Sequence, residues 1–416
     1  MGLLNKKVPE SLRLQLITLI TAISLGLIYS FIFPIPTDSY GLSVGVGADI
    51  LDIGDREFYI NFQSEGYGYE NIKGGILYPY ILNLIKNFVG IFNLHETSKL
   101  WNIIVISITS LLSITNLIFI DRSAWAIGGL QTAKIANWLY VMCPYTLFYS
   151  LSGGLTMYVM FGTALCTYII SNASIINKNN KGISYTRTYI LLLLGVIFLA
   201  CLRPSSAIFG ILVMLLFTIR VVIKLKSYKS SLNNAKIKLA IVITVISLLF
   251  SIIQLKEMHS YIGFAINSFT NERGSFFGVE RQLLWERFSV ESIGFVDLLK
   301  EKVYYVMWKL ADFVSGLSDI RDTHSDLETR PIFPFMMRVI TGIFVLYPIN
   351  LFSAIGVVVF RKRFLDSGLM ILLVASFISI LPSLMGVAMS RYLIMVYPTI
   401  IISAACFLNI LFKENF

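Results

Sequence analysis

Residues 76–92 read ILYPYILNLIKNFVGIF. The stretch is apolar, but Pro79 and Lys86 interrupt it. Either it crosses a bilayer or it lies at the membrane surface, and the choice turns every later segment inside out. Short cytoplasmic loops of membrane proteins collect Lys and Arg, which separates the two readings. If 76–92 does not cross, one side of the membrane receives Lys6, Lys7 and Arg13, then Arg122, then Lys178 and Lys181. The same side receives Lys224, Lys226, Lys229, Lys236 and Lys238, then Arg361-Lys362-Arg363, then Lys413. If it did cross, every cluster after it would flip outward. The segment therefore reads as an interfacial or re-entrant helix.

On either side of it lie apolar runs at 12–33, 101–120, 127–147, 154–174, 188–203, 205–223, 239–255, 338–360, 367–386 and 393–411. Most approach the roughly 20 residues that a helix needs to span the hydrocarbon core. They predict ten spans with both termini cytoplasmic. The runs 188–203 and 205–223 are parted only by Arg203-Pro204, so they are two spans or one broken helix. The first run is longer than the roughly 7–15 residues of a signal-peptide core. It ends in Phe33-Pro34-Ile35-Pro36, so it reads as an uncleaved first span.

Composition agrees. Of 416 residues, 56% are hydrophobic and 14% charged, with mean hydropathy +0.75. Soluble domains carry about 25% charged residues. A soluble enzyme and a disordered chain are both excluded. The expected fold is an all-α polytopic membrane protein, a single integral membrane domain over 1–416. It has about ten transmembrane helices plus amphipathic or interfacial helices on the outer side. The net charge of +10 would suggest nucleic acid in a soluble protein. Here the excess sits in cytoplasmic loops and sets orientation, so no nucleic-acid partner is expected. Cys143, Cys166, Cys201 and Cys406 lie in or beside apolar runs with no CxxC, and read as packing residues without a disulfide.

Two large loops then face outward. Loop 34–75, within an outer region of 34–100, holds Asp38, Asp49, Asp52, Asp55, Glu57, Glu65 and Glu70 against Arg56 and Lys73. Loop 256–335 holds twelve acids against nine bases, so the two loops carry 19 of the 24 acids. Asp49, Asp52 and Asp55 are spaced three apart, neighbours on one face if the stretch is helical. Like charges so close raise one another's pKa and can leave one a proton acceptor near neutrality. In the second loop, Leu299, Val303, Met307, Leu310 and Val314 recur at helical spacing, with Tyr304, Tyr305 and Trp308 suited to headgroup level. A second piece, Phe276 to Phe288, sets Glu280, Arg281, Glu286 and Arg287 around Leu283, Leu284 and Trp285. These helices either pack on the membrane domain or act as a lid over a lipid-linked substrate. His95, His259 and His324 are scattered without metal-ligand spacing, so no metal site is expected from them. The acids of 49–55 could hold a divalent cation, but no ion-ligand motif accompanies them.

Arg203 and Arg391 are the arginines that the inside rule leaves unexplained. In this topology both sit at the outer boundary. Arginine at that depth is costly unless paired. Its partner is an outer-loop carboxylate, a headgroup reached by snorkelling, or a substrate phosphate held in forked geometry.

Gly54-Asp55-Arg56-Glu57-Phe58-Tyr59, Glu65-Gly66-Tyr67 and Gly75-Ile76-Leu77-Tyr78-Pro79-Tyr80 resemble the first outer loop of GT-C superfamily glycosyltransferases. The likeness is greatest to mannosyltransferases of the GPI-anchor type. Cys143-Pro144-Tyr145-Thr146-Leu147-Phe148-Tyr149-Ser150 is similar to the Pro-containing segment that follows in that family. Leu202-Arg203-Pro204 and Ser390-Arg391-Tyr392, with Pro398, also look like steps common in such enzymes. One departure stands out: the family usually has an acid after that Pro segment, and Ser152-Gly153-Gly154-Leu155 has none.

The resemblance implies a transferase that uses a polyprenyl-phosphate sugar on the outer face of the membrane. Its acceptor would be a lipid-linked glycan or another glycan. Carried over, Asp55 would be the general base toward the acceptor hydroxyl. Arg203 and Arg391 would meet the charge growing on the leaving phosphate. Tyr59, one helical turn after Asp55, would shape the sugar pocket, with Asp52 and Tyr392 beside the substrate. No resident cofactor is implied, and no nucleotide-binding motif stands in a strand-to-helix context. The expected location is the bacterial inner (plasma) membrane. Two other readings remain open at this point: an O-antigen or exopolysaccharide polymerase joining lipid-linked repeat units, and a lipid-linked saccharide transporter or flippase.

Overall fold

The structure is a computed structural model that describes residues 10–32, 77–91, 99–173, 185–202, 204–226, 231–253, 342–385 and 396–414. Helices α1 (Glu10–Ile32), α2 (Leu77–Gly90), α3 (Lys99–Gly128), α4 (Leu130–Met142), α5 (Pro144–Ser152) and α6 (Leu155–Ser171) form its first part. Then follow α7 (Tyr185–Leu202), α8 (Pro204–Lys226), α9 (Ser231–Ile253), α10 (Tyr347–Val359), α11 (Arg361–Ser367), α12 (Leu369–Met385) and α13 (Tyr397–Glu414). A π-turn, Gly342–Leu346, leads into α10. Among the described residues there is no strand. The amphipathic stretches expected at 276–288 and 296–314 and the acidic loop 34–75 lie outside the described residues.

The described parts of the apolar runs are helical, except that the run 127–147, expected as one span, is broken at Gly129 and at Cys143-Pro144 into separate helices, and the chain is an all-α integral membrane protein. Among the described residues, two helices are long and apolar enough to cross by length and composition, Ile103–Gly128 and Ser206–Lys224, and a third if the bent pair Phe344–Val359 with Arg361–Ser367 is one span. Shorter apolar helices occupy Leu12–Ile28, Leu155–Ser171, Thr186–Leu202, Leu369–Ile380 and Tyr397–Lys413. Large apolar side chains cover the outside, among them Leu14, Leu25, Leu194, Val242, Leu249 and Phe377. Such a surface suits lipid and not water.

The interior is sewn with small and hydroxyl side chains, as membrane helices require when no water drives them together. The buried face of α3 carries Thr109, Ser110, Ser113, Asn116 and Ser123 among Val105, Leu117, Ile120 and Ala124. Ser113 and Tyr140 of α4 share a hydrogen bond of 3.0 Å. Gly356 lets α10 lie directly on α13, where a Cβ would come within 2.6 Å of the Ser403 carbonyl oxygen. Across the same contact Ser403 donates to the Ser353 carbonyl at 2.8 Å.

Three expectations are refined. The run 101–120 is part of a 30-residue helix, because Asp121, which ends the apolar run, is buried and accepts from Asn137 Nδ2 at 2.8 Å. The runs on either side of Arg203-Pro204 are two helices folded back on each other. Tyr189 bonds Thr218, and Gly210 lies against Val196, so the pairing is antiparallel. Segment 76–92 contains a 14-residue helix, α2. At 1.5 Å per residue that is about 21 Å, short of the roughly 30 Å hydrocarbon core. Tyr78, Leu82 and Ile85 face the bundle, and Tyr80, Leu84 and Phe88 face away.

Candidate functional site

Asp52, Asp55, Tyr59, Arg203, Arg391 and Tyr392 all lie outside the described residues. What is described is the chain leading into and out of them, and its pieces pack about α5.

Cys143 stands just before that helix. Its extended ψ of 117° is what the residue before a proline adopts, and Pro144 then starts α5. The Cys143 thiol donates to the hydroxyl of Tyr397 at 3.2 Å. Tyr397 opens α13, a few residues after Arg391 and Tyr392. At the other end of the same antiparallel pair, Asn409 Nδ2 donates to Thr132 Oγ1 at 2.9 Å. The two contacts keep one register along α4 and α13, so the start of α13 is fixed beside Cys143.

Helix α5 ends at Gly153, whose φ of 72° is a left-handed conformation that favours glycine. Thr109 and Ser110 both donate to the carbonyl of Ser150, tying α5 to α3 at 2.8 and 3.1 Å. The Gly153 carbonyl accepts a hydrogen bond from Tyr78 at 3.0 Å. Tyr78 is the second residue of α2, which follows the acidic loop. At 153 the left-handed turn favours glycine over an acid, and the carbonyl of that glycine serves Tyr78.

Tyr158 completes the corner. Its ring meets that of Tyr78 edge-on, with centroids 5.5 Å apart. Helices α6 and α7 run antiparallel, with Gly162 against Leu199 and Gly195 against Cys166. One turn back along α6, Tyr158 stands opposite the last turn of α7, which ends at Leu202 immediately before Arg203. Helix α2 also packs on α7.

So α2, which follows the first loop, and the last turn of α7 lie by Tyr78, Gly153 and Tyr158, at the end of α5, while the start of α13 lies by Cys143 and Tyr397, at the beginning of α5. The hydroxyls of Thr146, Tyr158 and Ser206 are buried with no hydrogen-bond partner among the described residues. Ser206 stands two residues after Pro204 at the start of α8. Buried polar groups are normally satisfied, so each such hydroxyl asks for a reason. Among the described residues no two cysteines form a disulfide, and Cys143, Cys166 and Cys406 are buried. Among the described residues no group of three His, Cys, Asp or Glu side chains could hold a metal ion.

Tyr158 and Tyr397 were not distinguishable in the sequence, because an aromatic within an apolar run is as readily lipid-facing as inward. Tyr78 and Cys143 lie in the segments that resemble the GT-C pattern, which was the available signal.

No family model matches the chain, and no curated protein matches it in sequence. Solved structures of the oligosaccharyltransferase of Archaeoglobus fulgidus are similar to it. The apo form aligns with 96% of this chain and 51% of its own, at 13% identity and TM-score 0.49. The form tethered to an acceptor peptide aligns over 96% and 50%, at 14% identity and TM-score 0.48. The form with an inhibitory peptide and a dolichol-phosphate, named AglB, aligns over 96% and 50%, at 11% and 0.48. The chain thus spans about half the length of these structures.

Proposed function

We propose that this protein is a GT-C-type glycosyltransferase. It moves a sugar from a polyprenyl-phosphate donor to a lipid-linked glycan or another acceptor at the outer face of the membrane. The observation that carries the reading is the packing about α5. Helix α2, which follows the acidic loop, and α7, which precedes Arg203, pack at the end of α5, and α13, which follows Arg391-Tyr392, starts beside the beginning of the same helix. A site that must hold an acidic base and two cations beside a membrane-embedded lipid needs those segments near one another.

In this scheme the Asp55 carboxylate takes the proton from the acceptor hydroxyl as its oxygen attacks the anomeric carbon. The bond from that carbon to the phosphate oxygen breaks, and the phosphate leaves with the electron pair. Arg203 and Arg391 absorb the charge that develops there, the step at which fixed positive groups contribute most. Asp52, Tyr59 and Tyr392 line the sugar and the donor. A divalent cation near residues 49–55 would assist the same leaving group. The scheme requires the ten-span topology with both termini cytoplasmic, and the bacterial inner membrane as location. In it, 34–100 and 256–335 are outer regions of one membrane domain.

The test is sugar transfer by purified protein in proteoliposomes supplied with a polyprenyl-phosphate sugar. Asp55→Asn is expected to lower kcat by about 100-fold or more, the usual worth of a positioned general base. Retention of the donor lipid should be unchanged. Undiminished transfer by the variant would remove Asp55 from the role. A product made of joined repeat units, in place of one added sugar, would replace the transferase by a polymerase.

A further inference from the structure

At the opposite end of the bundle the chain bends by 87° between Phe344–Val359 and Arg361–Ser367. A helix that leaves a membrane helix at nearly a right angle runs in the plane of the bilayer. The side chains of α11 divide to match. Phe364 is fully buried and stacks on Phe360, with centroids 6.1 Å apart. Arg361, Lys362 and Arg363 are exposed, and so is Leu365. Val358 and Val359, just before the bend, are 72% and 54% exposed.

The ledge is held from both sides. Gly368, with φ of 83°, ends α11, and Arg220 of α8 donates to the Asp366 carbonyl. Arg220 and Lys224, in the last turns of α8, lie close enough to feel the Asp366 carboxylate. Arg363 lies within electrostatic reach of Cys406 on α13, and α11 also touches α3. Two segments far apart in sequence thus bring Arg220 and Lys224 to the helix that carries Arg361, Lys362 and Arg363, with one acid, Asp366.

We propose that α11 and the end of α8 form a ledge that binds the anionic phospholipid headgroups of the leaflet at this end of the bundle. Charge complementarity selects that occupant. Guanidinium groups pair with phosphate in forked geometry, and two of the three exposed cations of α11 are arginines. The apolar residues flanking them, Val358, Val359 and Leu365, are placed to enter the acyl boundary, as in helices that lie in the interface. An acidic soluble protein would leave those apolar side chains unexplained. The proposal rests on the membrane fold and is independent of glycosyl transfer.

Cations at an anionic surface each contribute about fivefold in affinity, so removing three is expected to weaken headgroup binding on the order of 100-fold. The full-length protein is reconstituted in phosphatidylcholine vesicles containing a minority of phosphatidylglycerol and extracted in mild detergent. The ratio of the two lipids that co-purify is then measured. The wild type should carry phosphatidylglycerol in excess of the vesicle ratio, and the excess should shrink as salt is raised. Arg361→Gln with Lys362→Gln and Arg363→Gln should lose most of the excess, while Arg361→Lys with Arg363→Lys should keep most of it. A wild-type ratio equal to that of the vesicles, or a full excess in the glutamine variant, overturns the proposal. If the glutamine variant does not fold, the wild type still decides, since an excess indifferent to high salt also overturns it. Lipid neutrality together with capture of an acidic soluble protein by this face would assign the ledge to that protein class instead.

Discussion

Tyr78 and Tyr158 are a matched pair with opposite expected responses to loss of the phenolic oxygen. Both are almost wholly buried, at 0% and 3% exposure, and their rings touch. Tyr78 donates to the Gly153 carbonyl at 3.0 Å, whereas the Tyr158 hydroxyl has no hydrogen-bond partner among the described residues. Tyr78→Phe keeps the ring contact and strands a buried carbonyl. Leaving such a group unsatisfied costs about 1–3 kcal/mol. Tyr158→Phe removes a polar atom that is buried without compensation, a burden of about 1–3 kcal/mol by comparison of similar substitutions. Tyr78→Phe should therefore lower the midpoint of thermal unfolding in detergent by several degrees, and Tyr158→Phe should leave it unchanged or raise it. Tryptophan fluorescence of the purified protein is a sufficient assay. Equal destabilisation by the two variants would refute the reasoning, for it would mean that the phenols sit in equivalent surroundings.

Two further outcomes test the packing. Gly356→Ala should destabilise by about 1–3 kcal/mol, the usual cost of overpacking, because its Cβ would press on the Ser403 backbone at 2.6 Å. Val358→Ala, nearby and exposed, should stay within about 0.5 kcal/mol in the same unfolding assay. Asn137→Leu alone should cost about 1.5–3 kcal/mol, because the Asp121 carboxylate loses a buried donor and, among the described residues, keeps Arg122 Nε at 3.9 Å. Asn137→Leu combined with Asp121→Leu should recover most of that loss, and a double variant as unstable as the sum of the singles would sink the pairing argument.

The apolar period of the chain was legible because a bilayer imposes it residue by residue. Leu12 to Phe33, 154–174 and 393–411 became helices close to their expected bounds, since hydrogen-bonding the backbone within each segment is the only solution in hydrocarbon. Ends were less legible wherever a tertiary partner overruled local polarity. Asp121 ends an apolar run, yet the helix runs on to Gly128 because Asn137 satisfies the carboxylate from another helix. Whether Arg203-Pro204 is a kink or a reversal was not written in those two residues. Contacts a dozen or more positions away decide it, Tyr189 to Thr218 and Val196 to Gly210.

The candidate site divides along the same line. Its charged members, Asp52, Asp55, Arg203 and Arg391, stood out in sequence because charge is rare at a membrane boundary and therefore conspicuous. The contacts that position their flanking chain were invisible there, since Tyr78, Cys143, Gly153, Tyr158 and Tyr397 are ordinary members of apolar stretches. By itself the sequence determined that the chain is a membrane-spanning helical protein, because hydropathy and the side on which cations collect are one-dimensional properties. Only the tertiary structure decided which helices fold back, where α11 turns into the membrane plane, and which distant segments share an end, because those depend on pairwise fits such as Gly356 on Ser403 and Tyr78 on Gly153.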